Sequence, residues 1–394
     1  MAHRIDDVTK VETKDLDYSP DTAEVESDRP LETQEMILNV GPQHPATHGV
    51  FRLLATVDGE KLVDAQPIIG YMHRGYEKLV EQRDYRQITN LVSRMDWLSG
   101  ISNELPLAMA VENFLGLEVP PRAQWLRVAM VEMNRILNHL MFFASFGAEL
   151  GAITPTFYAF REREDIQLAL EMATGGRMHF GFMRPGGVKE DAPKGFFTQA
   201  LKGVRQVIAR LPDYEDLLIG NEIFKERTVG VGVLDKEVAY SYGVSGPIAR
   251  GSGIDRDLRR DDPYLVYEQF DFDVCTAPNG DCFDRFWVLV HEVVESAKIV
   301  EQAIEGMPSG PVLGKVPRVI QPPKGQVYAH AENPLGELGY YLISDGDRRP
   351  YRLKIRTPSY SNVSVLPVIL KDTFVADMIA ILGSFFFVLG DIDR

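Results

Sequence analysis

The sequence predicts an α+β fold, a central helical bundle with small peripheral antiparallel sheets. Three patterns carry this expectation. An Asp58-Gly59 turn signal lies between two short strand-like runs near the start of the chain. Long stretches of helical spacing occupy much of Tyr76 to Ile219 and return over Phe283 to Ile304. Strand-rich patterning then reappears over 322–365. The 394 residues are 45% hydrophobic and 25% charged, which suits a chain with a sizeable core and excludes wholesale disorder.

Taken in order, residues 1–34 are acidic and poor in apolar anchors, and are expected to form a flexible arm. Residues 35–75 are expected to form the N-terminal sheet: strands over Met36–Val40, Phe51–Val57 and Lys61–Ile69, with Gly41-Pro42-Gln43-His44-Pro45 breaking the first. Residues 76–227 are read as the helical core, with helices over 76–90, 93–116, 122–150, 161–174 and 196–219. Thr154-Pro155 is read as ending the third of these. Residues 228–394 are read as an α+β portion completing the same core. It starts with short strands and Gly/Asp-rich loops over 228–273, turns at Ser344-Asp345-Gly346-Asp347, and closes with Lys371–Leu389.

Composition narrows the function. With 42 Lys and Arg against 57 Asp and Glu, the net charge is −15, which argues against nucleic acid as a partner. The two cysteines, Cys275 and Cys282, exclude a disulfide framework and a self-contained four-cysteine iron–sulfur or zinc site. The first 35 residues lack the apolar core of a secretory signal. The most apolar stretch, Met378–Leu389, falls short of the roughly 18–20 residues of a spanning helix and reads as a buried element. The chain is expected to be cytosolic in character and to reach a membrane through partners. Gly251-Ser252-Gly253 leads into no helix, so the chain is not expected to bind a nucleotide.

Four constellations carry candidate chemistry. His44 and His48 lie in Gly41-Pro42-Gln43-His44-Pro45-Ala46-Thr47-His48-Gly49, where Pro42 and Pro45 forbid an α-helix and hence a helical metal pair. Imidazoles on such a loop suit proton delivery at a cavity mouth, or they cap backbone groups. Arg74 follows His73 at a helix start, where it tunes an anion or pairs with Glu77; spacing favours the pairing. Glu132, Arg135 and His139 share a helix face and read as a buried, internally paired network. His179 and Arg184 follow the Gly175-Gly176 pair, which permits close backbone approach.

Together these pieces resemble respiratory complex I, specifically the D-subunit family of the proton-pumping NADH:quinone oxidoreductases. The resemblance covers roughly residues 35–394. It rests on an ordered set: 41–49; His73-Arg74-Gly75 with Glu77-Lys78; Pro121-Arg122-Ala123-Gln124-Trp125; Arg177-Met178-His179 with Arg184-Pro185-Gly186-Gly187; Arg250-Gly251-Ser252-Gly253-Ile254; Gly280 to Arg285; Ser344-Asp345-Gly346 with Arg349-Pro350-Tyr351-Arg352; and the terminal Gly390-Asp391-Ile392-Asp393-Arg394. That family is similar to the large subunit of nickel–iron hydrogenases, so a hydrogenase-like fold is implied. Hydrogenases hold their metals with two Cys-x-x-Cys pairs. Here the matching regions read Arg94 to Ser99 and Asp391 with Asp393, so no nickel–iron centre is expected.

The resemblance implies a quinone-reducing subunit, active only in an assembled respiratory translocase, that holds no cofactor or metal of its own. The implied partners are the iron–sulfur B-type subunit, other peripheral-arm subunits, membrane-arm subunits and quinone. The implied location is peripheral, on the cytoplasmic side of the bacterial plasma membrane. Arg74 and His179 match residues beside the partner's terminal cluster. His48 matches the headgroup-binding histidine, with His44 beside it, and Glu149 its acidic partner, an aspartate in many members. The family usually has Tyr where this chain has Trp97. An indole donates a hydrogen bond but gives up no proton, so His48 is expected to carry more of the binding, or the quinone type or pose to differ. A non-catalytic scaffold subunit of a related membrane-bound redox complex is the alternative.

Overall fold

The computed structural model of the protein describes residues 34–394. The acidic arm expected at 1–34 lies, except for Gln34, outside the described residues. The first sheet orders β1 (Glu35–Val40), β2 (Arg52–Asp58) and β3 (Lys61–Ile68) as antiparallel neighbours. Ala55 at its centre pairs with Leu38 and Ala65. Alternation buries Leu53, Ala55 and Val57 on one face. The hairpin turn lies one residue later than the Asp58-Gly59 signal suggests. Asp58 still pairs with Lys61, and Gly59 takes a left-handed φ of 61° beside Glu60.

The helices that follow are α1 (Tyr76–Val80), α2 (Tyr85–Val92), α3 (Gly100–Leu115), α4 (Pro121–Glu149) and α5 (Thr154–Thr174). After a short ribbon of β4 (Met183–Arg184) and β5 (Gly187–Val188) come α6 (Phe196–Tyr214), α7 (Glu222–Thr228), α8 (Lys236–Ser241), α9 (Pro247–Arg250), α10 (Leu258–Asp261) and α11 (Cys282–Glu305). A second antiparallel sheet, β6 (Gly325–Asn333), β7 (Gly336–Ser344) and β8 (Arg352–Arg356), precedes α12 (Pro358–Val363), α13 (Leu366–Leu370), α14 (Val375–Gly383) and α15 (Leu389–Asp393).

Helices α4, α5, α6 and α11 form the central bundle, with α4 packed on both α5 and α11. Phe143 and Phe146 of α4, Phe224 of α7 and Phe286 of α11 meet with ring centroids 5.2–5.6 Å apart. Each such pair adds about 0.5–1.5 kcal/mol beyond its area burial. The second sheet packs Leu338, Tyr340, Leu342 and Ile355 against Ile88 and Val92 of α2 and Leu107 and Val111 of α3. No helix among the described residues is long and apolar enough to cross a membrane.

The structure corrects several boundaries. The helix expected over 76–90 is two, because Asp84 caps α2: its carboxylate accepts from Arg86 and Gln87 N–H, and the Gln87 side chain accepts from Asp84 N–H. A cap of this kind is worth about 1 kcal/mol. Residues 93–99 form turns rather than the start of α3, since the Asp96 carboxylate accepts from Leu98 N–H and competes with helix bonding. Pro155 opens α5 instead of ending α4, because the first helical turn needs no N–H from it. The strands expected over 228–273 are replaced by short helices and turns: Pro247 starts α9, and Asp257 caps α10 by accepting from Arg259 N–H. Over 371–389 the helix covers only α14, and the segment to Leu389 is turn and extended chain.

Candidate functional site

The 41–49 loop owes its shape to local bonds. At Gly41, with φ 84°, a Cβ would collide with Phe51 O, so only glycine fits. Thr47 Oγ1 donates to His44 O at 2.6 Å and closes a 3₁₀ turn over Pro45–Thr47. One such turn, started by Pro45, is all the helix the two prolines allow. His44 caps it: Nδ1 accepts from Ala46 N–H at 3.2 Å, and the residue is exposed. His48 ends it in the left-handed region, φ 46° and ψ 36°. For a residue with a Cβ that backbone costs about 1 kcal/mol or more, and it turns the imidazole inward.

The inward ring is held from two sides. Nε2 lies 2.8 Å from Glu149 Oε1, and Nδ1 lies 3.1 Å from the carbonyl oxygen of Phe387. A carbonyl only accepts, so Nδ1 carries a hydrogen. A carboxylate also only accepts. Both contacts are therefore made only when the pair holds one proton beyond neutral imidazole plus carboxylate, on His48 Nε2 or on Glu149. The His48 and Glu149 side chains are 11% and 6% exposed, so bulk water does little to screen the contact. Glu149 Oε2 has no partner.

The pair forms the polar wall of a cavity of about 240 Å³ that is otherwise lined by Trp97, Leu98, Met141, Phe142, Ser145, Phe387 and Val388. Met141, Ser145 and Glu149 share one face of α4 by i, i+4 spacing. Trp97 and Leu98 come from the 93–99 turns, and Phe387 and Val388 from the segment after α14. Phe386 takes φ 47°, a strained kink just before the carbonyl that receives His48. The Phe387 ring lies 4.6 Å from the imidazole. Apolar walls with one convergent polar pair suit a flat, carbonyl-bearing ring. A larger cavity of about 430 Å³ near the C-terminus is walled by His73, Glu77, Lys78, Arg352, Lys354 and Arg394, a charged surface unsuited to an apolar ring.

The structure thus brings together His48, Glu149 and Trp97, while His44 is not among the residues lining this cavity. Arg74 is exposed, its guanidinium 5.7 Å from the Tyr76 ring centre. The expected pairing with Glu77 does not form: Glu77 is drawn to Arg352, Lys354 and the Ile355 N–H. His179 is exposed on the segment after α5, and burial and the Arg94 charge push its imidazole below the usual histidine range. Its segment is anchored by Glu104 of α3, whose carboxylate accepts from the N–H groups of Gly181, Phe182 and Met183 at 2.8–3.0 Å. Burial pushes Glu104 up to about 7 against those donors.

Glu132, Arg135 and His139 are fully buried and paired. Glu132 bonds Arg135, Arg259, Tyr267 and Ser296, and His139 meets Glu292, which also holds Arg250. Among the described residues no group of three or more His, Cys, Asp or Glu side chains is arranged to hold a metal ion. Two site contributors carry no signal in the sequence. Phe387 offers a backbone carbonyl, which any residue has. Gly383 lies against Glu149, where a Cβ would collide with Oε2, yet a glycine in an apolar run reads only as helix packing.

A family model described as the respiratory-chain NADH dehydrogenase 49 Kd subunit matches residues 149–394. The chain is 54% identical over 362 residues to a protein of Salinispora tropica named as the second of that organism's D-type subunits of NADH-quinone oxidoreductase, covering 91% of this chain and 93% of that one. It is 53% identical to a Streptomyces coelicolor protein named as the first D-type subunit of the same oxidoreductase, covering 92% and 96%. It is 47% identical to the D-type subunit so named from Carboxydothermus hydrogenoformans, covering 92% and 100%.

Proposed function

Given that this chain belongs to the D-subunit family of the NADH-quinone oxidoreductases, we propose that the cavity beside Trp97 binds a quinone headgroup and that His48 with Glu149 protonates it as it is reduced. The observation that carries this is the 2.8 Å His48–Glu149 contact, which holds a transferable proton at the wall of an apolar, aromatic-lined cavity. Reduction of a quinone consumes two electrons and two protons. A quinone oxygen arriving near His48 displaces Glu149 Oε1 as the acceptor of Nε2–H and then takes that proton, while the Glu149 carboxylate, still beside the ring, balances the charge the ring carries before transfer. Phe387 O holds Nδ1–H and so fixes which nitrogen faces the substrate. Phe142, Phe387 and Val388 exclude water and fit the ring's faces. The Trp97 indole N–H is suited to donate a second hydrogen bond but not a proton.

Electrons arrive from an iron–sulfur cluster held by a partner, the B-type subunit. Arg74 and His179 suit its neighbourhood, because N–H donors and positive charge stabilise a reduced cluster. The two cysteines, Cys275 half-buried and Cys282 buried, supply no set of thiolate pairs like that of a nickel–iron enzyme, which supports a chain that relies on its partner's cluster. In this reading the hydrogenase-like core has exchanged its metal for quinone. His44 belongs to the loop that carries His48 rather than to the headgroup contact. Other peripheral-arm and membrane-arm subunits complete the translocase, seating this chain on the cytoplasmic side of the plasma membrane.

The test is His48→Ala in the assembled complex. NADH-driven quinone reduction should fall at least about 100-fold, while reduction of a water-soluble acceptor that bypasses quinone persists. Electron flow to quinone left untouched would instead give this protein a scaffold role.

A further inference from the structure

Close in sequence to the cavity lining are two buried acids that the chemistry above does not use. Asp96 immediately precedes Trp97, and Asp391 stands one turn after Val388 in α15. Their backbones touch: a Cβ at Gly390 would collide with Met95 O. Both acids are buried, at 0% and 1% exposure. Each has one oxygen bonded and one bare. Asp96 Oδ1 accepts from Leu98 N–H at 2.9 Å and Asp391 Oδ2 from Ser359 N–H at 3.0 Å, whereas Asp96 Oδ2 and Asp391 Oδ1 have no partner. Two ionised carboxylates buried with bare oxygens on touching segments are costly, and one retained proton removes most of that cost.

We propose that Asp96 and Asp391 hold one proton between them and release it to the cavity when its occupant is reduced. The charges around the pair agree. Burial and then the Asp391 charge push Asp96 up to about 7 against bonds from Ser99 and Leu98, and burial pushes Asp391 up to about 6 against the Ser359 bonds and the Arg394 and Arg356 charges. The Tyr340 phenol is likewise pushed up, by burial and then by the Asp391 and Glu104 charges. Asp393, in the same helix, is engaged elsewhere by the N–H groups of Gly70 and Met72.

The proposal rests on the quinone reading of the cavity. One quinone takes two electrons from the partner's cluster, one proton from the His48–Glu149 pair and one from the Asp96–Asp391 pair. Its two carbonyls become hydroxyls, each pair is left one proton short, and solvent protons restore both. The cavity-lining Trp97, Leu98 and Val388 belong to the same two segments as the acids, so the store lies within one to three residues of the cavity lining.

Two readouts test this in the assembled complex. Infrared spectra recorded without quinone between about pH 5 and pH 9 should show protonated-carboxyl C=O intensity that titrates near neutrality, with a Glu104 component that persists in the Asp96→Asn/Asp391→Asn double variant and a second component that is lost there. In Asp391→Asn, Asp96 loses a neighbouring negative charge and gains an amide donor, so the alkaline limb of quinone reduction should move to lower pH by about one unit. If that variant does not assemble, Asp96→Asn reads the pair from its other side, with the carboxyl signal changed and the alkaline limb flattened. Carboxyl intensity undiminished in the double variant, or an alkaline limb unmoved by the assembled single variant, overturns the proposal. The infrared signal needs no quinone. Retained quinone reduction in His48→Ala therefore counts against the cavity reading, while the signal still reports on the pair.

Discussion

Gly383 leaves room for Glu149: the carboxylate Oε2 fills the position a Cβ at 383 would take, and that Cβ would also lie 2.9 Å from the Phe146 ring. Helix α14 thus gives up a side chain so that the acid at the end of α4 can turn toward His48. Gly383→Ala should push the flexible Glu149 side chain away and stretch its contact with His48. Overpacking of this kind costs about 1–3 kcal/mol, so the complex should assemble with a modestly lowered unfolding temperature and a much larger loss of quinone reduction. Equal, small losses in both would mean that Glu149 has another acceptable position.

Glu149→Gln keeps the shape of the His48 contact and removes the acid. The Gln NH₂ can donate to a neutral Nε2, so both contacts of His48 form without the extra proton, and the rate of quinone reduction should fall by about 100- to 10,000-fold with assembly intact. Glu149→Asp keeps the acid but is one methylene short, and should recover part of the rate. Steady-state quinone reduction by the three complexes checks the ordering, Glu above Asp above Gln.

Trp97 is 39% exposed, at the cavity that also holds His48. Trp97→Tyr exchanges an N–H donor for a smaller side chain whose hydroxyl both donates and accepts. One hydrogen bond gained or lost is worth about 0.5–1.5 kcal/mol, so the KM for quinone should change by about 2- to 12-fold, with a changed preference between mono- and bicyclic headgroups. Unchanged rate, KM and preference would place the headgroup away from position 97.

The strand and hairpin pattern of β1 to β3 was legible because a two-residue period and a glycine turn leave few alternatives. The 228–273 segment was not: Asp, Asn and Pro mark turns and helix starts alike, and only tertiary packing chose short helices there. The Glu132, Arg135 and His139 face followed from helical spacing. Their partners Glu292 and Arg259 lie more than a hundred residues away, beyond the reach of local pattern. Arg74 and Glu77 failed to pair for the same reason, since Glu77 meets Arg352, 275 residues on. The His48–Glu149 contact spans 101 residues; family resemblance suggested it, and spacing alone did not.

Glu104 should make stability depend on pH in a direction opposite to that of a salt-bridged acid. Its folded value is raised by burial from the usual 4.5 to about 7. The folded chain therefore holds the proton more tightly than the unfolded one. The resulting stability is fully present below about pH 4.5 and is lost as pH rises through about 7, on the order of 3 kcal/mol in all. Glu104→Gln removes this dependence. It also turns an amide NH₂ toward at least one of the N–H groups of Gly181, Phe182 and Met183, leaving it unpaired at a cost of about 1–3 kcal/mol. Denaturant unfolding of the full chain should show the variant well below wild type near pH 5, with the gap narrowing toward pH 8. A gap that widens with pH would mean that the three N–H donors outweigh burial and that Glu104 is ionised in the folded chain.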